Sequence, residues 1–183
     1  MACIKKLDKN VTFNCAKAGE PTSIRGVEEL ILVNYSDISN YSVDDIGVAA
    51  ITMTTGTKGY VLNSVNNSIS ASIAARINDS IITAEEHTIV IKLLDNTGAV
   101  GVAELSNLIL SLRTGTFAAF VMTSKGNRLA YGLMAGLECS EIVGDSATDG
   151  IITITLKTPD SAGGDRMVPI TEGTYDRLKA PKA

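Results

Sequence analysis

Ile69-Ser70-Ala71-Ser72-Ile73-Ala74-Ala75-Arg76-Ile77 alternates without a break: Ile69, Ala71, Ile73, Ala75 and Ile77 fall on one side, and Ser70, Ser72, Ala74 and Arg76 on the other. Successive side chains of an extended chain point to opposite faces, so a period of two predicts a half-buried β-strand. Working outward, residues 60–62 and 47–54 are rich in Val, Ile, Leu and Thr and read as strands. Residues 30–34 form a short apolar strand, and residues 10–15 alternate as a first one, with Val11, Phe13 and Cys15 on one face. Residues 35–45, dense in Ser, Asn, Asp and Tyr, read as an exposed excursion.

On the C-terminal side, residues 88–94 read as a strand, and Thr83-Ala84-Glu85-Glu86 mimics a capping box that offers a short helix as the competing reading. Val102, Leu105, Ile109 and Leu112 are spaced by three, four and three, which predicts an amphipathic helix over 102–113 with Gly115 just beyond its end. Strands are expected at 116–123 and 128–137, joined by the hairpin loop Ser124-Lys125-Gly126-Asn127. After a turn at 144–150, residues 151–157 alternate again, with Ile152, Ile154 and Leu156 on one face. A loop follows over 159–165, then an extended piece at 167–170 and a helix over 171–180. Strands in series with one packed helix imply a mainly β, α+β fold: an antiparallel β-barrel or sandwich with one flanking amphipathic helix. The expected division is a β domain over 1–165 and a C-terminal arm with a short helix over 166–183.

The chain has 183 residues, 16 Lys plus Arg against 20 Asp plus Glu, and a net charge of −4. That balance argues against a dedicated nucleic-acid binder, which needs a basic face to displace counterions. Aromatic residues make up 4% and Trp is absent, so stacking platforms are poorly supplied. Cys3, Cys15 and Cys139 form no Cys-x-x-Cys pair, which argues against a disulfide framework and a thiolate zinc site. No apolar run reaches the ~20 residues of a membrane span. Lys5 and Lys6 are not followed by an apolar segment, so export is not expected and the protein should remain in the cytoplasm where it is made.

Catalytic signatures are also missing. His87 is the single histidine, it follows two glutamates, and it is expected on a polar loop with no nucleophile beside it. Gly56, Lys58 and Gly59 lack the longer cradle and the following helix of a phosphate loop and read as a turn. Asp145 to Asp149 and Asp160 to Asp165 lack the closing glutamate of a calcium loop. Glu138 and Glu141 read as solvated acids. No catalytic, cofactor-binding or metal-binding residue is expected, and the chain does not read as an enzyme.

The segment 88–158 resembles tail tube and related tail structural proteins of tailed bacteriophages. The resemblance rests on the helix at 102–113, the apolar strand at 116–123, the phrase Leu129-Ala130-Tyr131-Gly132-Leu133-Met134-Ala135-Gly136-Leu137-Glu138, and Asp149-Gly150-Ile151-Ile152-Thr153-Ile154-Thr155-Leu156. Val11 to Cys15 and Glu29 to Ile38 look like the opening of gut-phage tail proteins of this type. The resemblance implies a subunit of a tail ring (tube, hub or connector) that assembles head to tail around a channel for the genome. It implies no cofactor and no membrane anchor. Its partners would be other copies of the chain, neighbouring tail or portal-connector proteins, and DNA passing through the lumen. Its place would be the tail of the virion, after assembly in the host cytoplasm. Tyr35, Tyr41, Asp44, Asp45 and Tyr175 are then the expected subunit contacts. A capsid accessory or head-completion protein is the alternative within the same class. A monomeric binding β-sandwich is the alternative outside it.

Overall fold

The computed structural model describes residues 26–45, 47, 49–63, 68–78, 81–94, 98–145, 151–161 and 165–180. The expected strand at 10–15, Cys3, Cys15 and most of the turn at 144–150 lie outside them. In chain order the strands are β1 (Val27–Asn34), β2 (Ile38–Val43), β3 (Ala49–Met53), β4 (Tyr60–Asn63), β5 (Ile69–Asn78) and β6 (Ile81–Leu94). Helix α1 (Gly98–Thr114) leads into β7 (Thr116–Thr123), β8 (Arg128–Tyr131), β9 (Leu137–Asp145), β10 (Ile151–Lys157) and β11 (Val168–Pro169), and α2 (Glu172–Lys179) follows.

The fold is built around β1 and β7, which pair antiparallel with Leu30 opposite Val121 and Leu32 opposite Ala119. Leu30, Ile31, Leu32 and Val33 are all fully buried, as are Phe117 to Val121. Such unbroken apolar runs are what a strand covered on both faces requires. One face, with Leu30, Leu32, Phe117, Ala119 and Val121, joins Leu62, Ile89, Ile91, Ile154 and Leu156 in a first core. The other face, with Ile31, Val33, Ala118 and Phe120, joins Ile51, Met53, Val168, Tyr175 and Leu178 in a second.

Nine strands form one sheet, with β4 on the outer side of β1 and β7 on its inner side. The far edge of β7 is shared: Thr116 and Phe117 pair with β9, and Ala119 to Met122 pair with β8. From β9 the sheet continues through β10 and β6 to β5. It curls until β5 comes back close to β1. No ladder joins those two strands among the described residues, so the curl is an open sheet and not a closed barrel. Strands β2 and β3 make a separate two-stranded sheet over the second core.

Three sequence expectations are corrected. Residues 83–86 are not helical: β6 begins at Ile81, because Ala74, Ala75 and Arg76 of β5 pair with Glu86, Glu85 and Ala84. The excursion at 35–45 is instead a 3-10 turn at Tyr35–Asp37 followed by β2, and Asp37 is buried, receiving the Asn34 side-chain amide at 2.9 Å. The single strand expected at 128–137 is two, broken by Gly132 (φ 67°) and Gly136 (φ 75°). Both occupy the left-handed region that only glycine enters without strain. Helix α1 is present and one turn longer than expected. Leu112 is the deepest of its described side chains, Ser111 and Leu108 are also buried, and Leu105 and Ile109 are only partly buried.

The segment after Asp165 crosses both sheets. Val168 and Pro169 pair with Ala130 and Leu129 of β8, and Ile170 bridges to Ala49 of β3. Thr171 then caps α2 by accepting the Thr174 N–H at 3.2 Å. The helix packs on β1 through Tyr175 and Leu178. The Leu178 carbonyl accepts the Gly59 N–H at 2.6 Å. A Cβ at Gly59 would meet Ile31 at 2.3 Å, so glycine is what allows this approach. No helix among the described residues is long and apolar enough to cross a membrane.

Candidate assembly surface

Strand β5 has a ladder partner on one side only among the described residues, β6. Its direction follows from one bond: the Ser68 carbonyl accepts the Lys92 N–H at 2.7 Å. The antiparallel ladder alternates between hydrogen-bonded and non-bonded pairs. Ser70, Ser72 and Ala74 therefore aim their amides at β6, and Ala71, Ile73 and Ala75 turn theirs outward. Residues 72–75 are all exposed, and Ile73 is the only large side chain among them, 39% exposed. Residues 69–75 of this edge carry no Lys, Pro or charged side chain of the kind that ordinarily blunts one.

The same four-stranded segment, β9-β10-β6-β5, also lacks a ladder partner along most of its opposite edge, where α1 packs near β9. Strand β9 meets β7 only through Leu137 and Glu138. Beyond them residues 139–145 have β10 on one side and no ladder partner on the other among the described residues, with Val143 48% exposed. The four-stranded segment thus has backbone without a ladder partner on both sides among the described residues.

A second feature gathers part of the expected contact set. Tyr35 and Tyr41, with Ile38, Ser39, Asn40 and Leu133, line a shallow hollow of about 180 Å³. The Tyr35 hydroxyl donates to the Met134 carbonyl at 2.9 Å, and the Ser39 hydroxyl to the Thr52 carbonyl at 3.0 Å. Met134, 40% exposed, stands on the rim. Asp44 and Asp45 are exposed at the far turn of the same β2–β3 hairpin, where the Gly47 N–H closes on the Asp44 carbonyl at 2.9 Å. Tyr175 belongs to neither place. It is 1% exposed, its ring lies under Arg128 and Lys179, and its hydroxyl donates to the Glu29 carbonyl at 3.4 Å. The exposed tyrosine expected in the C-terminal arm is thus an interior anchor.

His87 requires the plainest correction. It is fully buried in β6, not on a polar loop. His87, Ile89, Ile91 and Leu93 alternate on the core-facing side of the strand, a period of two that starts one residue before the expected strand. The Gly132 N–H donates to Nδ1 at 3.0 Å, which places the ring proton on Nε2, 3.5 Å from Glu85 Oε2. Tyr131 meets the ring edge-on, with centroids 5.2 Å apart. Asp165, also buried, accepts the N–H groups of Met134 (3.3 Å), Ala135 (3.3 Å) and Arg166 (2.7 Å). Glu85 accepts the Met167 N–H at 2.9 Å. These acceptors are turned on backbone donors, and among the described residues no group of three His, Cys, Asp or Glu is placed to hold a metal ion. The cluster, like Met134 and the β9 edge, went unread in the sequence. Its one local signal is the alternation beginning at His87.

Burial pushes the phenol of Tyr35 up, helped by Tyr41 and Asp165 nearby, and burial alone raises Tyr131. Tyr175 is raised furthest, first by burial and then by Glu29. Above the ordinary value near 10 the unfolded chain releases these protons while the folded chain keeps them, so stability must fall as pH rises past that point. Denaturant midpoints measured from about pH 8 to about pH 11 are expected to drop, and Tyr175→Phe to remove the largest part of the drop. A flat profile in the unsubstituted chain would contradict this burial.

No family model, curated protein or solved structure matches the chain.

Proposed function

We propose that this chain is a structural subunit that joins copies of itself into a ring, as tail tube or hub proteins of tailed bacteriophages do. One observation carries the reading: among the described residues the β9-β10-β6-β5 segment has no ladder partner beyond β5 on one side, nor beyond residues 139–145 of β9 on the other. Pairing β5 of one copy with β9 of the next is a heterologous contact, and repeated around an axis it closes a continuous sheet around a hole. The sequence resemblance supports reading that ring as part of a phage tail. The net charge of −4 suits a wall past which DNA slides, since like charge keeps phosphates from sticking. Tyr35, Tyr41, Asp44 and Asp45 supply a second contact surface toward neighbouring tail or connector proteins.

The edge gives the test. Ala75 turns its amide away from β6, so Ala75→Pro removes no ladder bond of the subunit. The variant is expected to fold with stability within about 1 kcal/mol of the parent and to stay monomeric in light scattering at concentrations where the parent assembles. Unchanged assembly of the proline variant would remove β5 from the interface.

A further inference from the structure

The turn Gly132–Gly136 is fastened from three sides: by His87 at the Gly132 amide, by Asp165 at the Met134 and Ala135 amides, and by Tyr35 at the Met134 carbonyl. It forms one wall of the tyrosine hollow through Leu133 and carries exposed Met134. We propose that His87 is a proton-operated catch on this turn, releasing it when the imidazole takes up a second proton.

The geometry dictates the direction. The first proton sits on Nε2, facing Glu85, so a second must enter at Nδ1. That atom is the acceptor of the Gly132 N–H, and two hydrogens cannot share the position. The new Nδ1–H finds the Asp165 carboxylate instead, whose Oδ2 is 3.8 Å away. To reach hydrogen-bond distance from 3.8 Å, Asp165 must move toward the imidazolium, which stretches its 3.3 Å bonds to Met134 and Ala135. One proton from solvent thus removes the Gly132 anchor and weakens two more, and the wall of the hollow loosens.

The groups facing the ring set the balance. On its own strand there is Glu85; from the segment before β11, Asp165; from β8, Tyr131. At the end of β10, Thr158 accepts the His87 N–H at 3.0 Å. Lys157 there is occupied by Glu86 at 3.1 Å, with Asp160 at 3.9 Å. Tyr35 lies within electrostatic reach of Asp165. Across β5, His87 is opposite apolar Ile73. The charges on hand are two carboxylates that welcome the cation.

His87 is the single histidine, so selective ¹⁵N-histidine labelling of the whole chain reads one imidazole without overlap. On the alkaline side the spectrum is expected to show a protonated Nε2 and a bare, hydrogen-bonded Nδ1. On acidification, as Nδ1 gains its proton, hydrogen exchange at Gly132, Met134 and Ala135, corrected for intrinsic rates, should accelerate about tenfold, the equilibrium worth of one lost hydrogen bond. His87→Asn retains an acceptor and cannot take the proton, and should leave the three amides flat over the same range. If that variant does not fold, the correlation in the parent decides alone. Amides that stay protected while the imidazole charges would overturn the proposal. So would a proton already on Nδ1 at alkaline pH, or global unfolding before the ring charges.

Discussion

Phe120→Ala is expected to lower the unfolding free energy by about 3–5 kcal/mol, a large share of the roughly 5–15 kcal/mol by which domains are stable. Phe120 is fully buried on the β7 face that carries the second core, where it meets residues from β3, β11 and α2. Those elements come from two distant parts of the chain, 49–53 and 168–179, and no single neighbour can shift to fill the space a phenyl leaves. Phe117 projects from the opposite face into the first core and should cost a comparable amount when truncated. Because the two rings lie on opposite sides of one strand, the double variant tests whether the cores respond independently. Urea unfolding reads all three. A loss below about 1 kcal/mol for Phe120→Ala would mean that the second core is not closed.

Tyr175→Ala is the second large effect, again about 3–5 kcal/mol. The ring is 1% exposed and is covered by Arg128 and Lys179 at 5.8 and 5.0 Å from its centroid. Arg128 also pairs with Glu172, and Lys179 with Glu29, so the ring sits beneath a clamp of two ion pairs. Without it α2 loses its main apolar grip on β1. Tyr175→Phe keeps the ring and gives up only the long hydroxyl bond to Glu29, at a cost of about 1 kcal/mol or less. Neither change is expected to act on assembly except through folding. A phenylalanine variant of normal stability that no longer assembles would return Tyr175 to the interface.

Periodicity made most of the strands legible. The alternation over 69–77, the apolar run of 30–33 and the alternation over 151–157 each became a strand, because burial on one face or on two leaves a distinct trace in the sequence. The helix over 102–113 was legible for the same reason, with a period near 3.6. What escaped were features decided by distant parts of the chain. Gly132 and Gly136 are separated by three apolar residues that fit a strand, and hydrogen bonds to His87 and Asp165, distant in the chain, hold them as a turn. His87 looked solvated because its neighbours Glu85 and Glu86 are polar, yet in a strand the residues that share its face are Glu85 and Ile89. The candidate surface was half legible. Composition singled out Tyr35, Tyr41, Asp44 and Asp45, of which the two tyrosines line one hollow and the two aspartates lie at the far turn of the β2–β3 hairpin. The open edges were not, since an edge is a property of sheet order, and sheet order is not written in any one strand.

Electron microscopy of the purified chain at high concentration tests self-association most directly. Closed rings around a lumen, with β5 of each copy laid against β9 of the next, are the expected result. Single compact particles at every concentration, with both edges facing solvent, would contradict the assembly role.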